Sequence, residues 1–296
     1  MDWDKLRIFH AVSEAGSFTH AGDRLNLTQS SVSRQISGLE AELGVPLFHR
    51  HARGLKLTEQ GETLYRTAQE IASKLTTAET LVTESMERPR GPLRVTTTVA
   101  FGSMWLTERL KDFLEMYPEI EVALILREDE LNLSMRQADV AIRLAPPQQP
   151  DLIQRHLFDL RHGAFAAPAY LEQYGMPHSL NDLEVHRLIA YDETYHPPFT
   201  NINWLLDAGL DSNFKRKPVL RVNNLYAMYR AAANAMGIAS LPDYMVGLTS
   251  GLIPVLPKLK GPVHKAYFVY PEELRHSRRV SVFRDFLLRR IAEDRK

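Results

Sequence analysis

The third of three short amphipathic patterns near the N-terminus constrains the fold most strongly. Four apolar residues recur there at spacings of four, three and four, which places them on one face of a helix. These residues are Val32, Ile36, Leu39 and Leu43. Thr28 is a suitable N-cap, so the pattern predicts a helix that begins just after it. Two shorter helical patterns come first, with apolar stripes formed by Leu6, Phe9 and Val12 and by Phe18, Ala21 and Leu25.

The opposite face of this third helix is polar and is therefore expected to be exposed. It combines amide, hydroxyl and guanidinium groups, from Gln29, Ser30, Ser33, Arg34 and Ser37. Thr28 and Ser31, at the start of the helix, are also candidate DNA-binding residues. Glutamine can bond adenine, arginine can bond guanine, and hydroxyl and helix-terminal N–H groups suit phosphate oxygens. The pattern favours a helix that enters the major groove of double-stranded DNA. An ordinary solvated helix face is the alternative.

Two short strand patterns follow this helix and are typical of a wing. Residues 47–50 and 55–57 flank a turn at residues 51–54. Basic side chains are clustered there, at Arg50, Arg53 and Lys56. The whole chain has 36 basic and 36 acidic residues, so attraction to DNA must come from such local clusters. The N-terminal region is therefore predicted to be a winged helix-turn-helix.

A long helical pattern begins after Thr58 and carries a heptad seam. Its apolar residues alternate spacings of four and three, and they are Leu64, Ala68, Ile71, Leu75, Ala78 and Val82. One helix cannot bury such a seam alone, so pairing with a second copy is predicted, giving a homodimer or a homotetramer. Packing of the seam on the chain's own C-terminal domain is the alternative. Residues 88–92, with two prolines and one glycine, predict a hinge after this helix.

Strand and helix patterns alternate through the rest of the chain, which predicts a parallel sheet. Strands are predicted at residues 93–98, 120–126, 139–144, 164–167, 237–241 and 266–270, and helices at 105–116, 169–174, 225–236 and 280–292. A hinge-like stretch around residues 161–163 interrupts the alternation, so two α/β lobes are predicted rather than one wide sheet. A chain of 296 residues is long enough for at least two domains.

Several function classes are excluded or disfavoured by what the sequence lacks. With no cysteine, disulfides, thiolate metal sites and thiol redox sensing are excluded. The sequence has no nucleophile elbow, phosphate-binding loop or zinc-protease motif, which argues against an enzyme or a solute-binding protein. We therefore expect neither a cofactor nor a metal ion. The few base-facing basic residues argue against a non-specific DNA-packaging protein. With no export signal and no apolar run of membrane length, the protein is expected in the cytoplasm, without a membrane partner.

Two sets of segments resemble the LysR-type transcriptional regulators. The first is LNLTQSSVSRQI at residues 25–36, followed by LE at 39–40, LGVPLFHR at 43–50 and LTEQG at 57–61. The second is YP at 117–118, ADVAIR at 138–143, APAYL at 167–171 and GIASLP at 237–242, which resemble the family's effector-binding domain. The resemblance spans almost the whole chain. Within the family, the chain looks most similar to the alphaproteobacterial LsrB/VtlR branch.

The resemblance implies a division of the chain and a set of DNA-binding residues. A DNA-binding domain would cover residues 1–58, a linker helix and hinge 59–90, and an effector-binding domain similar to periplasmic binding proteins 91–296. Lobe I would hold residues 92–161 and 266–296, and lobe II residues 162–265. Gln29, Ser30, Ser33 and Arg34 would meet DNA from the third helix, and Arg50 and Arg53 from the wing. A small effector between the lobes would alter DNA bending and contact with RNA polymerase at the promoter.

Candidate effector-binding residues follow from the strand ends, because ligands of open α/β sheets bind beyond the carboxyl ends of strands. Those ends place Thr98, Ala100, Phe101 and Ser103 after the first predicted strand, Arg127 after the second and Arg143 after the third. Tyr191 and Asn224 are candidates from lobe II.

The two arginines, Arg127 and Arg143, predict an anionic effector. The apolar stretch Val99–Phe101 predicts that the effector has a partly apolar body. The alternative is that both arginines only pair with neighbouring carboxylates, from Glu128, Asp129, Glu130 or Asp139.

Overall fold

The computed structural model of this protein describes residues 2–51, 54–83, 89–146, 149, 151–195, 197–211, 214–247 and 250–294. For residues 50, 51, 54, 73 and 76–83 it describes the backbone but not the side chains. The chain forms two compact units, Met1–Thr83 and Glu84–Lys296. None of the helices in the described ranges is both long and apolar enough to traverse a lipid bilayer. The finer division into residues 1–58, 59–90 and 91–296 stays a prediction.

The N-terminal unit contains the predicted helices and wing. Its elements are α1 (Trp3–Ala15), α2 (Phe18–Leu25), α3 (Gln29–Leu43), β1 (Phe48–His51), β2 (Gly54–Leu57) and α4 (Glu59–Thr83). The first three helices end where the chain turns into the left-handed conformation, at Gly16, Asn26 and Gly44. β1 and β2 form an antiparallel pair in which His49 lies opposite Lys56.

The core of this unit lies between α1, α2 and α3 and confirms most of the predicted stripes. Val32, Ile36 and Leu39 are completely buried. Leu43 is the exception, because its side chain is 40% exposed. It is the last residue of α3, and it lines an open groove next to Val45 rather than the core.

The first half of the α4 seam is buried within its own unit. Ala68 is only 2% exposed and belongs to the same core as the first three helices, and Leu64 and Ile71 pack against that core. Leu75, one turn farther on, is 43% exposed. The prediction that the whole seam needs a second subunit is therefore wrong for its first half, since the three-helix core covers it. The side chains of Ala78 and Val82 lie outside those described.

The C-terminal unit begins with parallel strands, as the alternating pattern predicts. Its first elements are β3 (Gly91–Thr97), α5 (Val99–Phe101), a π-helical turn (Gly102–Leu106), α6 (Thr107–Met116), β4 (Ile120–Leu126) and β5 (Val140–Arg143). β3 pairs in parallel with β4 on one side and β5 on the other. The helix predicted from residue 105 begins at Val99 instead, directly after β3. Gly102 makes this possible, because a Cβ there would collide with the Leu126 side chain.

The chain then enters a second sheet and returns to the first. The later elements are β6 (Leu152–Ala166), α7 (Pro168–Tyr174), β7 (Leu188–Tyr191), β8 (Leu220–Val222), α8 (Leu225–Ala233), β9 (Ile238–Pro242), β10 (Ile253–Val255), β11 (Val263–Pro271) and α9 (Arg278–Asp294). The first sheet has the order β4-β3-β5-β11-β6, and the second continues as β6-β9-β7-β8, with β10 also on β6. The mixed α/β fold is thus confirmed.

One strand, β6, belongs to both sheets of the C-terminal unit. It pairs with β11 along residues 152–161 and with β9 along residues 162–165. The hinge-like stretch predicted around residues 161–163 is the point at which β6 passes from the first sheet to the second, and it lies inside a continuous strand rather than a loop. His162, at the transition, is 5% exposed. The two sheets are therefore connected at this point by a hydrogen-bonded strand.

Candidate DNA-binding face and effector cleft

The outer face of α3 is the polar surface that the sequence predicts. Gln29, Ser30, Arg34 and Ser37 are exposed, and Ser31 and Ser33 are half-buried. The opposite side of the helix supplies buried core residues, so the rotation of α3 about its axis is fixed. In the N-terminal unit, these amide, hydroxyl and guanidinium groups form one continuous helix surface.

Hydrogen bonds set the start of this surface. Thr28 Oγ1 accepts a bond from the N–H of Ser31 at 3.2 Å, which confirms its role as the N-cap, and it lies 3.1 Å from Ser30 Oγ. Arg34 Nε donates to the carbonyl oxygen of Ser30 at 3.4 Å, which directs the guanidinium toward the N-terminal end of α3. The described residues place no carboxylate in an ion pair with Arg34. Its charge is therefore available to a nucleic acid.

The wing is held against α3 by a residue that the sequence did not single out. Glu40 Oε1 accepts bonds from the N–H groups of Leu47 at 2.8 Å and Phe48 at 3.3 Å. Phe48 is buried, with its ring 5.4 Å from the ring of Phe9. Lys56 is exposed on β2. The backbone of Arg50 lies in β1, but its side chain, like all of Arg53, is outside the described part of the chain.

A cleft in the C-terminal unit opens beyond the carboxyl ends of β4 and β5. Its volume is about 870 Å³, and a narrow recess of about 40 Å³ continues from it toward Thr96–Thr98 and Arg143. The cleft is lined by Glu128, Asp129, Glu130, Ala145, Pro146, Thr194, Tyr195, Pro197, Pro198, Phe199, Thr200 and Asn223. Segments from both lobes therefore face each other across it.

Both predicted arginines line this region, and each is engaged by a carboxylate. Arg127 binds Asp129 through two contacts, from Nε at 2.8 Å and Nη2 at 2.5 Å. Arg143 is 5% exposed, lies 3.2 Å from Glu130, and donates from Nη2 to the carbonyl oxygen of Leu131 at 3.1 Å. The pairing that the sequence left open as an alternative is present in the structure. The prediction of an anionic effector requires arginines that are free to bind it, and both arginines are paired here.

The structure separates the predicted residues that follow β3. Thr98 is 8% exposed and lines the recess. Ala100 and Phe101 are completely buried, and the Phe101 ring stacks 5.0 Å from Trp105 and 5.6 Å from Phe158. Ser103 is exposed in the π-helical turn. Thr98 is thus the member of this group that reaches the recess.

Of the two candidates from the second lobe, one is deeply buried and the other caps a helix. Tyr191, at the end of β7, has no exposed surface, and its backbone is bonded to the side chain of Asn203. Asn224 Oδ1 accepts a bond from the N–H of Ala227 at 2.7 Å and caps α8. Its side-chain oxygen therefore already has a structural role.

Glu128 is the residue of this region that the sequence analysis missed. Its Oε1 accepts a bond from the N–H of Val99 at 3.2 Å, and its buried Oε2 has no hydrogen-bond partner in the described residues. Burial raises the pKa of Glu128 to about 6. Burial, and next the charge of Glu128, raise the pKa of Tyr191 to about 12 and also raise that of Tyr244. In the sequence, Glu128 stood out only as a neighbour of Arg127.

Replacing Glu128 with glutamine should stabilise the C-terminal unit at neutral pH. Because its pKa is raised from 4.5 to about 6, ionisation opposes folding increasingly between these values and fully above them. The amide keeps an acceptor for Val99 and removes the charge. We expect a gain of about 1 kcal/mol in the free energy of unfolding, a value that allows for partial solvent screening. Urea unfolding followed by circular dichroism measures it, and a gain that persists below the unfolded-state pKa would contradict this cause.

Each of the two units matches a known protein-family model. The family model described as "Bacterial regulatory helix-turn-helix protein, lysR family" matches residues 3–62. The model described as "LysR substrate binding domain" matches residues 86–292. The helix-turn-helix match contains α1 to α3 and the wing, and the substrate-binding match contains the cleft.

Individual proteins agree with the family models. The HTH-type transcriptional regulator CrgA of Neisseria meningitidis serogroup C is 33% identical over 295 residues, covering 98% of this chain and 97% of that protein. An HTH-type transcriptional regulator of Xanthomonas campestris pv. campestris is 33% identical over 297 residues, covering 99% and 86%. The likeness to the LsrB/VtlR branch is untested by these relatives and stays a prediction.

Solved structures show the same fold. The structure of CrgA from Neisseria meningitidis matches with a TM-score of 0.61 and 31% identity, covering 98% of this chain and 99% of that one. Full-length CbnR complexed with its target DNA matches with a TM-score of 0.67 at 20% identity, covering 98% and 100%, and supports the fold alone. The substrate-binding model by itself spans more than half of the chain, and the relatives span nearly all of it, so this chain belongs to the LysR family of DNA-binding transcriptional regulators.

Proposed function

We propose that this chain reads a specific operator with α3 and the wing and responds to a small effector in the cleft of its C-terminal unit. The observation that carries the proposal is the rotation of α3, whose apolar side is buried and whose polar side is exposed. An exposed helix of this composition suits the donors and acceptors of the major groove. Such a protein acts in the cytoplasm, without catalysis, cofactor or metal.

The DNA-binding residues are assigned by their position and chemistry. Gln29, Ser30, Ser33 and Arg34 are proposed to face base edges and the adjoining backbone from α3. Thr28 and Ser31, at the N-terminal end of the helix, are proposed to contact phosphate, which helix N-termini attract. The wing contacts are assigned to Arg50, Arg53 and Lys56, with the two arginines resting on the sequence alone. Sequence-specific binding would then depend most on α3.

Footprinting on the DNA upstream of the chain's own gene tests this proposal. We expect a protected site with paired half-sites, and binding that weakens as the salt concentration rises, since basic side chains neutralise phosphates. Absence of protection at every salt concentration would overturn specific binding. Protection of all sequences alike would indicate a packaging protein instead.

Replacing Arg34 with alanine should weaken operator binding by about 1–3 kcal/mol and relax specificity at one base position, if the guanidinium reads guanine. Quantitative footprinting on the operator and on single-base variants measures both effects. Arg155→Ala is a matched control, because this exposed arginine of the C-terminal unit removes the same charge away from α3. An equal loss on every sequence would assign Arg34 to phosphate rather than to a base.

The assembly is proposed to be a homodimer or a pair of dimers on the two half-sites. Leu75 of α4, exposed in the single chain, and the open groove beside Leu43 support a contact between copies. Effector binding is proposed to change the angle between subunits, and with it DNA bending and contact with RNA polymerase. Light scattering on the Leu75→Lys variant tests the contact between copies by measuring the molecular mass. This substitution should favour the monomer.

A further inference from the structure

The charges around the effector cleft do not balance in the way that an anion would need. Arg127 is paired with Asp129, and Arg143 with Glu130. Among the described residues that line the cleft and its recess, this leaves the carboxylate of Glu128 without a cationic partner. A ligand that carries a negative charge would therefore meet an uncompensated negative charge.

The hydrogen bonding around Glu128 also argues against an anionic ligand. An ionised carboxylate only accepts, and Glu128 Oε2 is buried with no donor among the described residues. The hydroxyls of Thr98, Tyr191 and Tyr244 are likewise buried and lack a partner there, as does Arg143 Nη1, which lies 3.2 Å from Glu130 in an ion pair but makes no hydrogen bond. Thr98 is 8% exposed and lines the recess together with Glu128. Buried polar atoms without partners are costly. Because an ionised carboxylate can only accept, Glu128 Oε2 is suited to a ligand that brings an N–H donor.

The opposite wall of the cleft adds apolar surface, and the wall residues that the structure describes, 194, 195 and 197–200, carry no positive charge. Pro198 lines both the cleft and the recess, and Tyr195 stands 57% exposed beside it. The ring of Phe199, also in this wall, lies 4.7 Å from the His162 ring and 4.5 Å from the His264 ring. Burial lowers the pKa of both histidines, so both are neutral at pH 7. The imidazoles behind the wall therefore do not attract an anion.

We propose that the effector of this regulator is a small organic cation, whose ammonium or amidinium group donates to Glu128 and whose apolar body lies against Pro198 and Tyr195. This inference rests on the proposed function of the cleft as the effector site. It replaces the anionic effector expected from the sequence, because both arginines are already engaged. The cleft, at about 870 Å³, has room for a ligand larger than the probes used to test it.

Three probes of the same size separate the alternatives: benzylammonium, benzyl alcohol and benzoate. Ligand-observed NMR titrations with the full-length protein at neutral pH measure their dissociation constants. We expect benzylammonium to bind about tenfold more tightly than either of the others, as a charged hydrogen bond would provide. Benzoate binding as tightly as benzylammonium would overturn the proposal, as would a lack of binding by benzylammonium.

Two variants locate the bound cation. Glu128→Gln keeps the size of the side chain and should weaken benzylammonium binding by about tenfold, while its unfolding curve reports that it is folded. Glu172→Gln removes an exposed carboxylate on α7 and should leave the affinity unchanged. Unchanged binding by Glu128→Gln would show that the cation lies elsewhere and would overturn the assignment.

Operator footprinting on the same preparations separates this inference from the proposed function. If benzoate is the tighter probe and the operator is still protected, the chain remains a regulator and only the cationic effector is rejected. If no operator is protected at any salt concentration, the proposed function fails, whatever the probes show.

Discussion

Acidification from about pH 7 to about pH 4 should destabilise the C-terminal unit by on the order of 3 kcal/mol through His162 alone. His162 is 5% exposed, and in the described residues neither of its ring nitrogens has a hydrogen-bond partner. Burial, with a smaller effect from His264, lowers its pKa from 6.5 to about 3. The unfolded chain therefore binds a proton below pH 6.5 that the folded chain refuses. Stability is complete above that value and is lost progressively as the pH falls toward the folded-state pKa.

Replacing His162 with leucine should flatten this pH dependence while changing stability at neutral pH much less. Leucine has no group to protonate and no buried polar atom without a partner. Urea unfolding at a series of pH values, followed by circular dichroism, gives the slope for each variant. His276→Leu is the control, because this histidine is exposed and should leave the slope unchanged. An equally steep slope in His162→Leu would show that other groups cause the acid sensitivity.

Replacing Gly61 with alanine should destabilise the N-terminal unit by about 3 kcal/mol or more and abolish operator binding. A Cβ at this position would collide with the carbonyl oxygen of Leu47. That oxygen accepts the N–H of Thr58 at 3.0 Å, and Thr58 Oγ1 in turn accepts the N–H of Gly61. The backbone cannot move aside without breaking the contact between the wing and the start of α4.

Gly38→Ala provides a matched control in the same unit. Its added Cβ would meet only the flexible end of Lys5, at 4.0 Å, and Gly38 lies inside α3. Alanine there should stabilise the helix by about 0.5–1 kcal/mol, because glycine loses more conformational freedom on folding. Thermal unfolding and footprinting of the two variants test the pair. Similar stability of Gly61→Ala and Gly38→Ala would contradict the collision.

The elements that sequence periodicity specifies well are those in the N-terminal unit. The stripe of Val32, Ile36 and Leu39 fixed the rotation of α3, because a helix with one apolar face has one way to bury it. Leu43 continues the same spacing but lies exposed at the helix end, where no element in the described part of the chain covers it. Sequence periodicity indicates which face of a helix is apolar. It does not indicate how far along the helix the neighbouring elements cover that face.

The cleft was harder to predict because its chemistry depends on which charges meet in space. Arg127 and Asp129 are two residues apart in the sequence, so their pairing could be suggested from the sequence. The sequence could not decide whether Arg127 pairs with Asp129 or binds a ligand. Glu128 lies between these two residues in the sequence, but its carboxylate is in a more buried environment than theirs. Nothing in the neighbouring sequence indicates this burial. The short strand β7 was also not predicted; all four of its residues are buried, so its sequence shows no alternation of the kind that marks a half-buried strand.

The continuity of β6 has a consequence for how the effector-binding unit comes apart. A strand whose amides take part in two sheets gives both lobes a common hydrogen-bonded spine, so they should lose protection from hydrogen exchange together rather than one after the other. A protease that cuts surface loops of one lobe would not liberate the other as a stable fragment. Effector binding would accordingly be transmitted as a bend or twist along a shared strand, and not as the opening of two bodies on a flexible joint.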